Sequence, residues 1–218
     1  MTASGTALNT LTADEFRARA TGRLYDHWEP NRPDRRSDYD LNKDIPANVR
    51  PKVKRDAAVL IPIVNWPASD ATVILTRRTE HLPSHAGQVS FPGGKIDAGE
   101  VTPLETALRE ANEEIGLKAE AVAPIGFLDP YITSTGYRVH PVVGLVQPHQ
   151  PLTPEPGEVA EIFEVPLGFL MDDANHKIEG REWQGVTRYF YSMPFGRHYI
   201  WGATAGMIRL LYERVFVE

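Results

Sequence analysis

The order of elements predicts an α/β fold with a mixed sheet and helices on both of its sides. Three observations carry this. Short β-branched apolar runs recur through the middle of the chain, helical patterns stand at both ends and at the centre, and a double glycine leads into the central helix. With 218 residues the chain suits one sizeable α/β domain and is short for two.

LTADEFRARATGRLYD (11–26) reads as a short helix, with Thr12 as cap and Glu15 three residues on. Residues 29 to 52, rich in Pro, Asp, Arg and Asn, read as an extended connection. Residues 1–50 are thus expected to be an N-terminal helix and extended segment on the body, and residues 51–218 the main domain. AAVLIPIVNW (57–66) and ATVILTRR (71–78) are strands separated by Pro67 and Asp70. GQVSF (87–91) is a short strand before the glycines. APIGFLDP (123–130) and RVHPVVGLVQ (138–147) form a further strand pair, and VAEIFEVP (159–166) alternates as a half-buried strand does. TRYFYSMPF (187–195) is strand-like, and ATAGMIRLLYERVF (203–216) is a closing helix.

The central helix carries the chemistry. Thr102, Pro103 and Glu105 give a cap, a first-turn proline and a capping box, and Gly116 marks the stop. Leu104, Ala107, Leu108, Ala111 and Ile115 make one stripe, while Glu110, Glu113 and Glu114 fall together on a neighbouring face. Like charges four residues apart cost about 0.2–0.5 kcal/mol on an exposed helix, and Arg109 offsets part of this through Glu113. An arbitrary acidic face is usually only solvated. Here Pro92-Gly93-Gly94, Lys95 and Glu100 precede it within a few residues, a combination suited to a metal-bridged phosphate. Oxygen ligands without Cys or clustered His favour Mg²⁺ or Mn²⁺ over zinc. The loop of a calcium hand is missing.

Composition sets the outer limits. The net charge of -6 gives no general affinity for nucleic acid, and the densest basic cluster, Arg32, Arg35 and Arg36, reads as a solvated loop. The absence of cysteine excludes disulfides and thiolate chemistry. No stretch is apolar enough to span a bilayer and no secretory pattern opens the chain, so no membrane association is expected and a cytoplasmic location is.

Gly94, Glu100, Arg109, Glu110, Ala111, Glu113, Glu114, Gly116 and Leu117 occupy the fixed positions of a signature. In it a glycine, five residues and a glutamate are followed by Arg-Glu-apolar-x-Glu-Glu-x-Gly-apolar, and it resembles that of the Nudix hydrolases. The family's usual spacing between glutamate and arginine is seven residues; here it is eight, which is similar to the coenzyme A pyrophosphatase branch. LTRRTEHLPSHAGQVSFPGG (75–94) resembles that branch's own motif, although Pro83 stands where many relatives have a basic residue.

The resemblance implies an α/β/α sandwich that hydrolyses a diphosphate with Mg²⁺ or Mn²⁺. It implies Glu110 and Glu114 as leading metal ligands, Glu113 as a third or bridging ligand, and the Gly94 carbonyl as a further one. Arg109 would orient the carboxylates and Glu100 support the loop. Glu113, crowded by carboxylates, is expected to have a raised pKa and to assist proton transfer. Glu158 and Glu161 are the other candidates for the base.

Arg77 (or its neighbour Arg78), His85 and Lys95 are candidates for substrate contact, whereas His140, Tyr199 and Trp201 read as structural. The expected substrate is a small nucleoside diphosphate derivative, coenzyme A or its thioesters. ADP-ribose or a related compound is the alternative, and a nucleotide-sensing module without catalysis a more distant one. The N-terminal segment either covers the body or mediates a homodimer; nothing in the sequence chooses.

Overall fold

The computed structural model describes residues 10–46, 48, 50, 52–183 and 185–217. Strand β1 (Arg36–Ser37) is followed by β2 (Arg55–Val64), β3 (Thr72–Arg78), β4 (Val89–Ser90), β5 (Gly93–Lys95), β6 (Val122–Phe127), β7 (Tyr131–Ile132), β8 (Tyr137–Val146) and β9 (Val159–Pro166). These nine form one mixed sheet whose main path runs β1-β7-β8-β2-β3-β4, with β5 on β2, β6 on β8 and β9 on β3. A second, three-stranded antiparallel sheet comprises β10 (Lys177–Trp183), β11 (Val186–Phe195) and β12 (His198–Trp201). Helices α1 (Ala13–Ala20), α2 (Pro103–Ile115), the single turn α3 (Leu167–Leu170) and α4 (Gly202–Tyr212) complete the chain.

The large sheet separates two apolar clusters. On one face Ala107, Ala111 and Ile115 of α2 pack on Ala58, Leu60 and Ile74. On the other, Phe16 of α1 and Ile208 and Leu211 of α4 pack with Ala57, Ile61, Val73 and Leu75. Alternate residues of β2 and β3 thus point to opposite helices, as a pleated strand requires. The mixed sheet with helices on both sides is as the sequence predicts.

A fork in this sheet positions the site. β2 pairs with β3 only at Ile63–Val73 and Val64–Thr72, after which the two strands diverge. Residues 89–95 fill the gap: β4 pairs with the far end of β3, and β5 pairs with the near end of β2. The Leu60 amide donates to the Pro92 carbonyl at 2.9 Å and locks the segment in place. Gly93 is required here, because a Cβ would collide with the backbone of Ala58 and Val59.

Several elements differ from the sequence reading. The N-terminal helix stops at Ala20, with Gly22 left-handed at φ 73°, so its pattern extends further than its structure. Its Thr12–Glu15 capping box is present as expected. On α2 the expected capping box does not form. Glu105 accepts from the Val101 amide at 2.9 Å, but the Thr102 side chain makes no cap bond to the helix backbone. The double glycine is itself part of a strand, because β2 has an unpaired edge to offer. Strands β10 and β12 are absent from the sequence reading. β10 (KIEGREW) is rich in charge, and its pairing with β11 supplies what its own apolar content does not.

Phe16 is fully buried in the cluster shared with α4, so α1 belongs to the same core as the sheet. Phe16→Ala should lower the free energy of unfolding by about 3–5 kcal/mol in a single transition. Urea unfolding followed by far-UV circular dichroism checks this. A main transition left unmoved would mean that α1 is a dispensable appendage.

Candidate active site

Helix α2 lies over the fork with its acidic residues above β5. The three glutamates predicted to share one face have different surroundings. Glu114 is buried, at 4% exposed, and Glu110 is largely covered, while the side chain of Glu113 is 58% exposed. Glu114 therefore sits on the packed side of α2, beyond the edge of the apolar stripe.

Gly94 is what lets Glu110 reach the strand, because a Cβ on Gly94 would run into the Glu110 carboxylate. The Gly93 amide donates to Glu114 Oε2 at 3.3 Å. The paired glycines thus do different work: the first clears strand β2, and the second clears a carboxylate.

Arg109 gathers the cluster. Its Nε donates to Glu100 Oε1 at 2.8 Å, and its Nη1 donates to Glu110 Oε1 at 2.8 Å and to Glu113 Oε2 at 3.0 Å. Its Nη2 donates to the Lys95 carbonyl at 3.2 Å, tying helix to strand. The guanidinium fork makes this possible, since a lysine offers one point charge where four acceptors lie in different directions. The hydrogen bond from Arg109 brings Glu100 down to about 2, helped by the Thr106 hydroxyl and the Asp97 amide.

The other two carboxyls are shifted upward. Burial pushes Glu114 to about 7, against the pull of Arg78 and the Gly93 amide, and the charges of Glu110 and Glu158 add to the rise. Burial also raises Glu110, with Glu113 and Glu158 adding to it and Arg109 opposing. In both, burial is the largest cause of the raised proton affinity.

Strand parity sorts the remaining candidates. Arg78 is on the α2 side, its Nη1 3.6 Å from Glu114 Oε1, and its buried Nε has no hydrogen-bond partner among the described residues. Arg77 points to the opposite side, where it meets Glu80 at 3.3 Å and Glu161 at 3.5 Å. Glu161 is opposite Arg77 across β3–β9 and shares that side. His198 reaches Glu161 at 3.1 Å and stacks on Phe163 at 3.6 Å, while Arg197 forms a short ion pair with the same carboxylate. Burial acts to raise Glu161, but its hydrogen bonds from His198 and Arg197 prevail and hold it below its ordinary value. Glu161 and Arg77 are therefore not part of the carboxylate cluster.

Lys95 is opposite Ala57, so its exposed side chain leaves the α2 face and only its carbonyl joins the site. His85 is exposed on the β3–β4 loop with φ 59°, and its Nδ1 lies 2.8 Å from Gln88 Oε1. His140 is buried against Asp56 at 3.2 Å and edge-on to Trp28, in the structural role expected of it.

Glu158 does approach the cluster. The loop before β9 is tied to the end of α2 by the Glu155 amide on the Glu114 carbonyl and the Thr153 amide on the Ile115 carbonyl, both 2.9 Å. The Thr79 amide donates to the Glu158 carbonyl at 3.0 Å. Five glutamates, 100, 110, 113, 114 and 158, thus stand around Arg109 and Arg78, with Asp97 also 3.6 Å from Arg109, so acidic groups outnumber the arginines.

Among the described residues no three acidic or histidine side chains are already drawn together at ligating distances; the arginines pair with them instead. The donor set nevertheless suits a hard divalent cation. It is oxygen throughout, it includes the backbone beside Gly94, and it carries the charge excess that a cation relieves.

Glu114 also links the site to stability. In the unfolded chain it ionises near 4.5, and in the folded metal-free protein near 7. The folded state keeps the proton longer, so this contribution is full below about pH 4.5 and is lost as pH rises through 7. The difference amounts to about 3 kcal/mol. Urea midpoints of the metal-free protein should therefore fall between pH 5 and pH 8, with Glu110 adding in the same direction. Glu114→Gln should flatten most of that slope, and an unchanged slope would place its origin elsewhere.

Comparison with known proteins identifies the family. The NUDIX domain model matches residues 54–185. The protein called uncharacterized Nudix hydrolase NudL from Yersinia pestis (strain Pestoides F) is 42% identical over 163 residues, covering 75% of this chain and 81% of its own. Its namesake from Yersinia pseudotuberculosis serotype O:1b (strain IP 31758) matches to the same extent. Among solved structures, the Nudix hydrolase RenU from M. smegmatis aligns with 52% of this chain and 71% of its own, at 25% identity and a TM-score of 0.42. The chain belongs to the Nudix family and is a hydrolase of pyrophosphate bonds.

Proposed function

We propose that the chain cleaves the diphosphate of coenzyme A or its thioesters, giving 3',5'-ADP and 4'-phosphopantetheine or its acyl derivative, with Mg²⁺ or Mn²⁺. One observation carries this reading. The segment 75–94, which resembles the motif of the coenzyme A branch, runs from Arg78 beside Glu114 to Gly94 beneath Glu110. It forms one wall of the carboxylate site. The eighth residue between Glu100 and Arg109 points the same way, and Pro83 is the one departure. ADP-ribose is the second reading; it shares the diphosphate but has no use for that motif. A sensing module could dispense with a metal glutamate, whereas Glu110, Glu113 and Glu114 are all present.

Glu110, Glu114 and the Gly94 carbonyl would hold the ion, with Glu113 as a further ligand. When bound, a divalent ion neutralises diphosphate oxygens and makes water more acidic. Arg109 holds Glu110 and Glu113 in position while Glu100 anchors Arg109 from behind. Arg78 offers its unpaired Nε to a phosphate oxygen. Glu158, exposed and with no ion pair among the described residues, takes the proton from the attacking water; Glu161 is committed to His198 and Arg197. His85, exposed on the β3–β4 loop, meets the outer part of the substrate, whereas the Lys95 side chain points to the opposite side of the sheet.

Two measurements test this. With Mg²⁺ or Mn²⁺, turnover of coenzyme A should exceed that of ADP-ribose and dinucleoside polyphosphates; the reverse order would support the second reading. Glu114→Gln should fold, because a neutral amide replaces a carboxyl already inclined to be neutral, and should lose at least about a hundredfold in kcat. Glu158→Gln should lower kcat by about 10²–10⁴-fold with little change in KM. A kcat left unchanged would assign the proton transfer to another group.

A further inference from the structure

A cavity of about 450 Å³ lies on the α4 face of the sheet, away from α2. It is enclosed by residues 36–45, the Gly202–Leu210 side of α4 and the sheet β10–β12, and none of its lining residues belongs to the carboxylate cluster. Most of the lining falls outside residues 54–185, while Tyr131, Ser134, Thr135 and Arg181 fall within them.

Its walls combine flat rings with uncompensated positive charge. Trp201 and Phe190 meet at 5.2 Å, and Tyr39 and Tyr191 add further aromatic surface. Most of the polar groups already have partners. Asp38 accepts from the Tyr131 hydroxyl at 2.9 Å and the Ser134 amide at 2.7 Å. Asn42 spans the Tyr189 backbone with two bonds of 2.8 Å, and Glu213 pairs with both Arg36 and Arg209 at 2.7 Å.

Arg181 and Arg188 are the exception. They are directly opposite each other across β10–β11, a placement that is unfavourable for like charges. Neither has a carboxylate within ion-pair distance among the described residues, and the buried Arg188 Nε has no hydrogen-bond partner there. Two guanidiniums so placed suit the oxygens of a phosphate. The volume falls within the range of about 300–1,000 Å³ typical of small-molecule sites.

We propose that this cavity is a second small-molecule site for a nucleoside monophosphate, with its base against Trp201 and Phe190 and its phosphate on Arg181 and Arg188. The site requires neither a divalent ion nor the α2 carboxylates, so its test is independent of the hydrolytic reading.

Equilibrium dialysis of AMP against the full chain in EDTA reads it directly. Saturable binding of one AMP per chain is expected, with adenosine and inorganic phosphate each binding at least tenfold more weakly. Arg181→Gln and Arg188→Gln should each weaken AMP binding at least tenfold, while the double variant Glu110→Gln/Glu114→Gln binds as the unaltered protein does. Arg181 is exposed, so its variant carries the test should Arg188→Gln fail to fold. Three results would overturn the proposal. One is no saturable AMP binding, and another is equal affinity for AMP and inorganic phosphate. The third is binding that the glutamate double variant abolishes and the arginine variants leave intact.

Discussion

Everything at the carboxylate site depends on Arg109 joining three glutamates and a strand carbonyl at once. Without that guanidinium, Glu100, Glu110 and Glu113 would repel one another, and the tie of the loop from Lys95 to Glu100 to α2 would be left to the Thr106 hydroxyl on Glu100. The arrangement is still under-neutralised, since the acidic groups outnumber Arg109 and Arg78. The folded protein absorbs the excess by favouring protons on Glu114 and Glu110. A site with that excess favours any species that brings positive charge, and that preference is what catalysis of diphosphate cleavage draws on.

Holding charge in this way requires backbone that no ordinary residue could supply. The fork between β2 and β3 leaves both strands with unpaired edges, and residues 89–95 satisfy them while bringing Gly94 under the helix. A side chain at Gly93 would push the segment away from β2, and one at Gly94 would displace Glu110. Sheet pairing and carboxylate placement are therefore a single constraint, satisfied by the same two residues.

How much of this the sequence discloses follows from how local each cause is. The helix, its carboxylates and the glycine joint are legible because i, i+4 spacing and capping are set within about fifteen residues. The sides taken by Arg77 and Arg78, or by Glu158 and Glu161, are not. Those depend on which side of the sheet α2 covers and on the register shift in β3–β9 between Arg77 and Arg78. The burial of Glu114 escapes a helical wheel for a related reason. The wheel gives its angle correctly, but only the fork in the sheet shows that the packed zone is wide enough to take it in. The second sheet is hidden in a further way, since the charged β10 is a strand only by virtue of its partner.

The same reasoning separates the two faces of the molecule. On the α2 face negative charge is in excess and is gathered around arginine. On the α4 face Arg181 and Arg188 are left without carboxylates, although Asp38, Asp40 and Glu213 line the same cavity. Those acids are not in short supply; Asp38 and Glu213 are spent on holding residues 36–45 and α4 in position. A fold that needed only to bury β11 could have placed a small polar residue at Arg188 and avoided the repulsion across the strand pair. Two opposed arginines beside aromatic walls make physical sense when an anion completes them, just as the glutamates of α2 make sense when a cation does.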